Sequence, residues 1–350
     1  MTAYFDRPVV ACGNGRTAIE LALRVVGVGA GDQVVVPTFC CTSIVPPILA
    51  LGAAPVFADI GADLSVTPET VDAAITARTR AVIVPHLFGN PAPIDAIAAA
   101  CAARDIAVID DAAQALGATL NGRPLGSWGA AGLVSFGNGK VCFGTGGGIL
   151  ILPDGPTQRR AADVCLVTES PKDVLERALG VLLWRRWRRW SQPIQTVLAS
   201  RQRSSAPPRP YRATGIANLD AAVALTLVNT LDANLAARRE RVRWYTERLG
   251  DLDTLRLVSH RDGSACLTQV VAVRRGDTQA GALITRLRAA GYEVNSSYAP
   301  LHRQAAYAAF APTALPVAER VAPTLFELPC EPSVRAADVE RIVRTLCTRG

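Results

Sequence analysis

The sequence predicts an α/β fold in which a largely parallel sheet lies between layers of helices. Three observations predict it. Short runs of apolar, mostly branched residues recur at 33–37, 54–59, 81–85 and 106–111, each of strand length. Between and around them lie stretches with apolar residues at helical spacing, notably 18–26 and 94–104. The runs are continuously apolar rather than alternating, which is how strands read when both faces are covered. A chain of 350 residues, 49% of them apolar, can bury such a core and a second one besides. We place a large domain at 1–235 and a smaller C-terminal α/β domain at 236–350.

Taken in order, the chain starts with no basic-then-apolar pattern, so no leader is expected, and no apolar run is long enough to span a bilayer. Gly13-Asn14-Gly15-Arg16-Thr17 then opens the first helix. A glycine turn at a helix N-terminus gathers free N–H groups and the positive dipole end. That setting suits a phosphate, or simply starts a helix. Strand 33–37 leads into Thr38-Phe-Cys-Cys-Thr-Ser43, strand 81–85 into His86, and strand 106–111 ends on Asp110-Asp111. Ligands of parallel sheets collect at the carboxyl ends of strands. Asp111 stands at such an end; capping a helix over 112–114 is its rival role. Residues 216–249 read as one long helix, and the small domain as strands 255–258 and 269–273 with helices 281–290 and 336–347.

Composition removes several functions. The nine cysteines show no C-x-x-C and no Cys/His pairing at metal-ligand spacing, so a metal centre is not expected and the thiols fit a reducing cytoplasm. The net charge of +7 is local: residues 159–212 hold twelve basic side chains against four acidic ones. No nucleic-acid motif accompanies it, so no nucleic-acid partner is expected. The centre of that segment alternates Trp184, Trp187 and Trp190 with Arg185, Arg186, Arg188 and Arg189. On a helix the tryptophans share one side and the arginines the other. Such a helix docks on its own protein or a partner subunit, or lies through 181–190 on an anionic membrane surface.

The most informative residue is Lys140. Of 37 basic residues only Lys140 and Lys172 are lysines. An amine can lose its proton and attack a carbonyl, whereas a guanidinium stays protonated. Lys140 lies in Ser135-Phe-Gly-Asn-Gly-Lys140-Val-Cys-Phe-Gly-Thr-Gly-Gly-Gly148, between two apolar runs of strand type. A reactive amine, a carboxylate at a strand end and a phosphate-ready turn are what pyridoxal phosphate needs. A dinucleotide site is the weaker reading: Gly13-Asn-Gly15-Arg-Thr-Ala18 lacks the third glycine and leaves Lys140 unexplained.

These motifs together resemble the DegT/StrS-type sugar aminotransferases, a branch of the fold type I (aspartate aminotransferase-like) pyridoxal-phosphate enzymes. The likeness runs from about 13 to 346. It is carried by 14–23, by Gly29-Ala-Gly-Asp-Gln-Val-Val-Val-Pro37, by Ile109-Asp-Asp-Ala-Ala-Gln114 with Gly117-Ala118, by Ser135 to Lys140, and by Tyr298-Ala-Pro-Leu-His302 with Tyr307. The resemblance implies that Lys140 is the Schiff-base lysine and proton carrier, and that Asp111 pairs with the pyridine nitrogen. It implies Gln114 near the ring, and Ser135 with the backbone of Gly15 and Arg16 on the phosphate. It puts Tyr298 and His302 toward the substrate, with His86 a weaker candidate for the same side. Three positions depart from the family pattern. Cys41 stands where an aromatic ring often stacks on the cofactor, 213–216 reads Ala-Thr-Gly-Ile in place of N-Y-R-M, and Gly137 replaces a bulkier residue.

The expected activity is transfer of an amino group from glutamate or glutamine to a keto-sugar or cyclitol-like acceptor, by a cytoplasmic homodimer. Two rivals stand beside it. One keeps the cofactor but dehydrates or forms carbon–carbon bonds. Lys140 disfavours the dehydratase branch, where a histidine replaces the lysine. The other is a non-catalytic partner subunit, in keeping with the missing stacking ring.

Overall fold

The computed structural model describes residues 1–154, 156–157, 161, 164, 166–183, 211–250, 252–274, 279–311 and 314–348. The large domain holds a seven-stranded sheet: β1 (Val9–Cys12), β2 (Gln33–Pro37), β3 (Ala54–Ala58), β4 (Thr79–Pro85), β5 (Ala107–Asp111), β8 (Ala131–Ser135) and β9 (Gly148–Ile151). Their order across the sheet is β1-β9-β8-β5-β4-β2-β3. A two-stranded ribbon, β6 (Thr119–Leu120) with β7 (Arg123–Pro124), lies between β5 and β8 in the chain. All neighbours in the large sheet are parallel except β9, which runs against both β1 and β8. Central strands are apolar on both faces, as covered strands must be: Val34, Val35 and Val36, then Ala81 to Val84, are all buried.

The reversal of β9 has a consequence for Lys140. The chain leaves the carboxyl end of β8 at Ser135, loops through Lys140, and returns into the same sheet at Gly148. The lysine is therefore tethered at both ends to adjacent strands. Close packing requires glycine where β9 begins: a Cβ on Gly148 would lie 2.7 Å from the Asn14 carbonyl carbon.

A second sheet, β10 (Leu255–Leu257), β11 (Thr268–Val273), β12 (Asn295–Ser296) and β13 (Leu325–Pro329), is wholly antiparallel in the order β10-β11-β13-β12. Its two faces belong to different cores. Val271, Phe326 and Leu328 pack with Tyr245, Leu283 and Val339 of the C-terminal helices. Val270, Ala272 and Leu325 join the main core of the large domain. The two sheets thus share an interior rather than hanging on a linker.

The pattern over 216–249 predicts one helix, and the structure holds two, Asn218–Val228 and Leu231–Leu249. The break falls at Thr230, whose backbone (φ −107, ψ 12) leaves the helical region. The terminal helix, Ala336–Cys347, matches its predicted bounds. In the basic segment 171–183 is helical, while Trp184, Trp187, Trp190 and the four arginines among them lie outside the described residues. The described part of that helix docks on its own chain. Val174 and Ala178 are buried, and Arg177 pairs with Glu169 at 2.8 Å and with buried Asp220 at 2.5 Å. Among the described residues, no helix is long and apolar enough to cross a membrane.

Candidate active site

The parallel strands deliver their carboxyl ends to one edge of the sheet, and a cavity of about 430 Å³ opens there. Each wall follows a strand end. Asn14, Gly15 and Arg16 come after β1, Cys40 and Cys41 after β2, and His86 after β4. Asp111 and Gln114 come from the end of β5, Ser135 from the end of β8, and Lys140 from the loop beyond it.

Asp111 is buried, and its Oδ1 accepts the Ala113 N–H at 2.9 Å in a tight turn. No helix starts at 112–114, so the capping role is not the one realised. Burial pushes the Asp111 carboxyl up, while the Ala113 N–H, the Lys140 charge and His86 pull it back. A carboxylate so placed gains most from a cationic partner.

The helix Gly15–Val25 begins at Asn14, whose Oδ1 accepts the Thr17 N–H at 3.0 Å. That bond caps one of the four N–H groups a helix start leaves over. The missing Gly15 side chain shapes the space beside Ser135: a Cβ there would come within 3.1 Å of Ser135 Cβ and 3.3 Å of its Oγ. The result is a cradle walled by a helix N-terminus and a hydroxyl, which fits a phosphate. The 213–216 departure is seated on this turn. Thr214 accepts the Gly13 N–H at 2.7 Å through its carbonyl, and its own N–H donates to Thr17 Oγ1 at 3.1 Å.

Gln114 is held at both ends. Its Oε1 accepts the Phe88 N–H at 3.0 Å, and its Nε2 donates to Tyr298 Oη at 2.7 Å. Tyr298 stacks on Phe88 with centroids 5.9 Å apart and meets Phe39 edge-on at 5.8 Å. These rings lie behind the wall that Cys40 and Cys41 line. Tyr298 therefore reaches the cavity through Gln114.

Two histidines are placed differently from each other. His86 is buried; its Nδ1 accepts the Ala92 N–H at 2.9 Å, so Nε2 carries the proton that meets Asp110 Oδ1 at 2.7 Å. His302 lies outside the cavity lining. Its ring is clamped between Thr38 Oγ1 at 2.6 Å and Glu319 Oε1 at 2.7 Å. Arg303 first, then His302, holds the Glu319 carboxyl down at about 2.

Asn234 and Arg238 escape sequence reasoning. Both lie on the Leu231–Leu249 helix, far along the chain from Lys140. Asn234 Nδ2 donates to the carbonyl of Val141 at 2.9 Å, and buried Arg238 donates to the Leu267 carbonyl at 2.8 Å. Arg238 Nη2 also reaches the Val141 carbonyl at 3.5 Å, so both side chains hold the residue next to the lysine. The only sequence trace is an Asn and an Arg one helical turn apart, joined here by a 2.8 Å bond. Among the described residues no cluster of His, Cys, Asp or Glu could hold a metal ion.

The fold and this site define a chain of the aspartate aminotransferase-like class, with a lysine and a buried carboxylate on one cavity. The model of the DegT/DnrJ/EryC1/StrS aminotransferase family matches residues 3–347, and the chain belongs to that family. It is 31% identical over 341 residues to a UDP-N-acetyl-3-dehydro-α-D-glucosamine 3-aminotransferase of Acidithiobacillus ferrooxidans, covering 96% of this chain and 83% of the relative. Among solved structures it is similar to DesV of S. venezuelae, at 27% identity and a TM-score of 0.79 over 99% of this chain and 85% of that one. The E. coli GDP-4-keto-6-deoxy-D-mannose-3-dehydratase with bound hydrated PLP shares the fold at 17% identity and a TM-score of 0.77, over 99% and 89% of the two chains.

Asp110, unlike Asp111, is enclosed by donors on every side. Fully buried, it accepts from His86 and from the N–H groups of Gly126 at 2.6 Å and Trp128 at 2.9 Å. Asp110→Asn turns an N–H₂ toward a donor and should cost about 2 kcal/mol in chemical denaturation.

Proposed function

We propose that this chain is a pyridoxal-phosphate aminotransferase that moves an amino group from glutamate or glutamine to the keto group of a sugar or cyclitol-like acceptor. It would serve amino-sugar or natural-product biosynthesis as a cytoplasmic homodimer. The observation that carries the reading is one cavity bearing Lys140, buried Asp111 and the Gly15–Ser135 cradle together. Membership of the aminotransferase family supports the reaction class. The curated relative's name, that of an aminotransferase of a dehydro-sugar nucleotide, supports the acceptor class. Free thiols at all eight described cysteines are in keeping with a reducing compartment.

Bound in this cavity, pyridoxal phosphate supplies an electron sink for the carbon that loses its proton. The residues around it divide the remaining work. Gly15, Arg16 and Ser135 would receive the phosphate. Asp111 offers a charge that burial has made costly and that a protonated ring nitrogen would relieve. Gln114 would stand beside the ring, its amide held by Phe88 and Tyr298, and Cys41 would line the same site. Lys140 would hold the aldehyde and carry the proton on its Nζ. Tyr298 and His302 fix the walls through Gln114 and Thr38. His86 keeps β4 and β5 in register below. We place the domain boundary at 235/236, and an insertion at about 159–212.

Lys140→Ala and Lys140→Arg should both abolish the glutamate half-reaction, followed by absorbance, with circular dichroism unchanged. Near-normal turnover in Lys140→Arg would refute the assignment, because a guanidinium cannot give up its proton.

Asp111→Asn should have opposite effects on the empty and loaded protein. Its folded-state pKa is raised, so the empty fold loses stability as pH rises from the ordinary carboxylate range to that raised value, and the full penalty stands above it. At pH 8 the Asn variant without cofactor should melt higher than wild type. With cofactor it should lose about 3 kcal/mol of transition-state stabilisation, more than Asp111→Glu loses.

A further inference from the structure

Backbone bonds close the neck of the lysine loop. The Gly144 N–H donates to the Phe136 carbonyl at 2.8 Å, and the Phe136 N–H donates to the Gly147 carbonyl at 3.0 Å. Residues 137–143, Lys140 among them, hang from that neck. Thr145 and Gly146 lie between the two bonded glycines, and both lie against one side chain from elsewhere in the chain, Asp220. Asp220 is fully buried in the first turn of the helix Asn218–Val228, where a helix favours an anion. Its Oδ1 accepts the Thr145 hydroxyl at 2.6 Å, and its Oδ2 accepts Arg177 Nη2 at 2.5 Å. The fit is close: a Cβ on Gly146 would lie 2.8 Å from Asp220 Oδ2 and 3.2 Å from Arg177 Nε.

A buried carboxylate is stable only while its partners stay in place. One partner here is the loop itself. The other, Arg177, belongs to helix 171–183 of the basic segment, and that segment is anchored in turn. Arg177 also pairs with Glu169 at 2.8 Å. The Val167 N–H donates to the Ala213 carbonyl at 3.1 Å, and the Gly215 N–H donates to the Val167 carbonyl at 3.0 Å. Between those two residues Thr214 seats the Gly13 turn of the cradle. The basic segment thus meets both sides of the cavity by separate contacts, the lysine loop through Asp220 and the cradle through Thr214.

We propose that Asp220, paired with Arg177, is a positioning residue for Lys140: it pins the loop neck at Thr145 and Gly146, so that the amine is presented to the cavity at one place. Its consequence for amino transfer rests on the role proposed above for Lys140. The hold on the loop does not.

Two readouts on the full chain test this. Hydrogen exchange without cofactor reads the neck, through peptides covering 136–148. Ligand binding reads the amine. Pyridoxal phosphate engages the cradle and an amine, whereas pyridoxine phosphate, with an alcohol in place of the aldehyde, engages the cradle alone. In Asp220→Ala, exchange at Gly144 and Gly147 should rise about tenfold, with β4 and β5 unchanged. Affinity for pyridoxal phosphate should fall about tenfold, and that for pyridoxine phosphate by less than about twofold. Thr145→Val keeps the volume and drops only the hydroxyl. It should shift both readouts the same way by a smaller factor, and it serves as the test if Asp220→Ala does not fold. Arg177→Met should act like Asp220→Ala, and Arg177→Lys, which restores the cation, should recover most of the loss. Unchanged exchange at the neck would overturn the proposal. So would an unchanged preference for pyridoxal over pyridoxine phosphate, whether both ligands weaken or neither does. If the wild-type chain shows no such preference and no visible absorbance band, the proposed function fails, while exchange at the neck still decides whether Asp220 holds the loop.

Discussion

Two consecutive carboxylates at the end of β5 organise this molecule. Strand geometry sends neighbouring side chains to opposite faces of the sheet. Asp110 goes to one face and binds His86, Gly126 and Trp128, so that β4, β5 and the turn before β8 are held by a single buried anion. Asp111 goes to the other face and becomes the floor of the cavity. A one-residue slip would exchange them, putting the structural anion in the cavity and the cavity anion in the wall. The register of β5 against β4, Val84 with Asp110 and Pro85 with Asp111, is therefore the constraint on which the site depends.

The lysine side of the cavity is fixed by different means. Lys140 belongs to a loop, but that loop is anchored by β8 and β9 at its ends and at Val141 by Asn234. The rings of Phe39, Phe88 and Tyr298 form a stiff support behind Gln114. The small-domain sheet contributes its inner face to the same interior. A site built this way places charge accurately, because each charged group is carried by an element that cannot move alone. It also leaves the cavity wall small at Cys41.

Much of this was legible in the sequence, for physical reasons. Parallel strands buried on both faces must be apolar throughout, so 33–37 and 81–85 stand out. Lys140 stands out because arginine serves nearly everywhere else. Contacts between distant segments were not legible. Nothing local marks Asn234 as the partner of Val141, or Thr214 as the seat of the Gly13 turn. His302 sits in a tyrosine-to-histidine motif that suggests a substrate contact, yet its ring is clamped by Thr38 and Glu319. The break at Thr230 was hidden because Ala- and Leu-rich sequence continues on both sides of it.

The central claim is that Lys140, by its position among Asp111, Ser135 and Gly15, is the amine that holds the cofactor. The most direct measurement is borohydride reduction of the protein loaded with pyridoxal phosphate, followed by proteolysis and mass mapping of both lysine peptides. The account predicts one pyridoxyl-phosphate adduct per chain, on the peptide containing Lys140 and not on the one containing Lys172. Stoichiometric label on Lys172, or no lysine label under saturating cofactor, would contradict it.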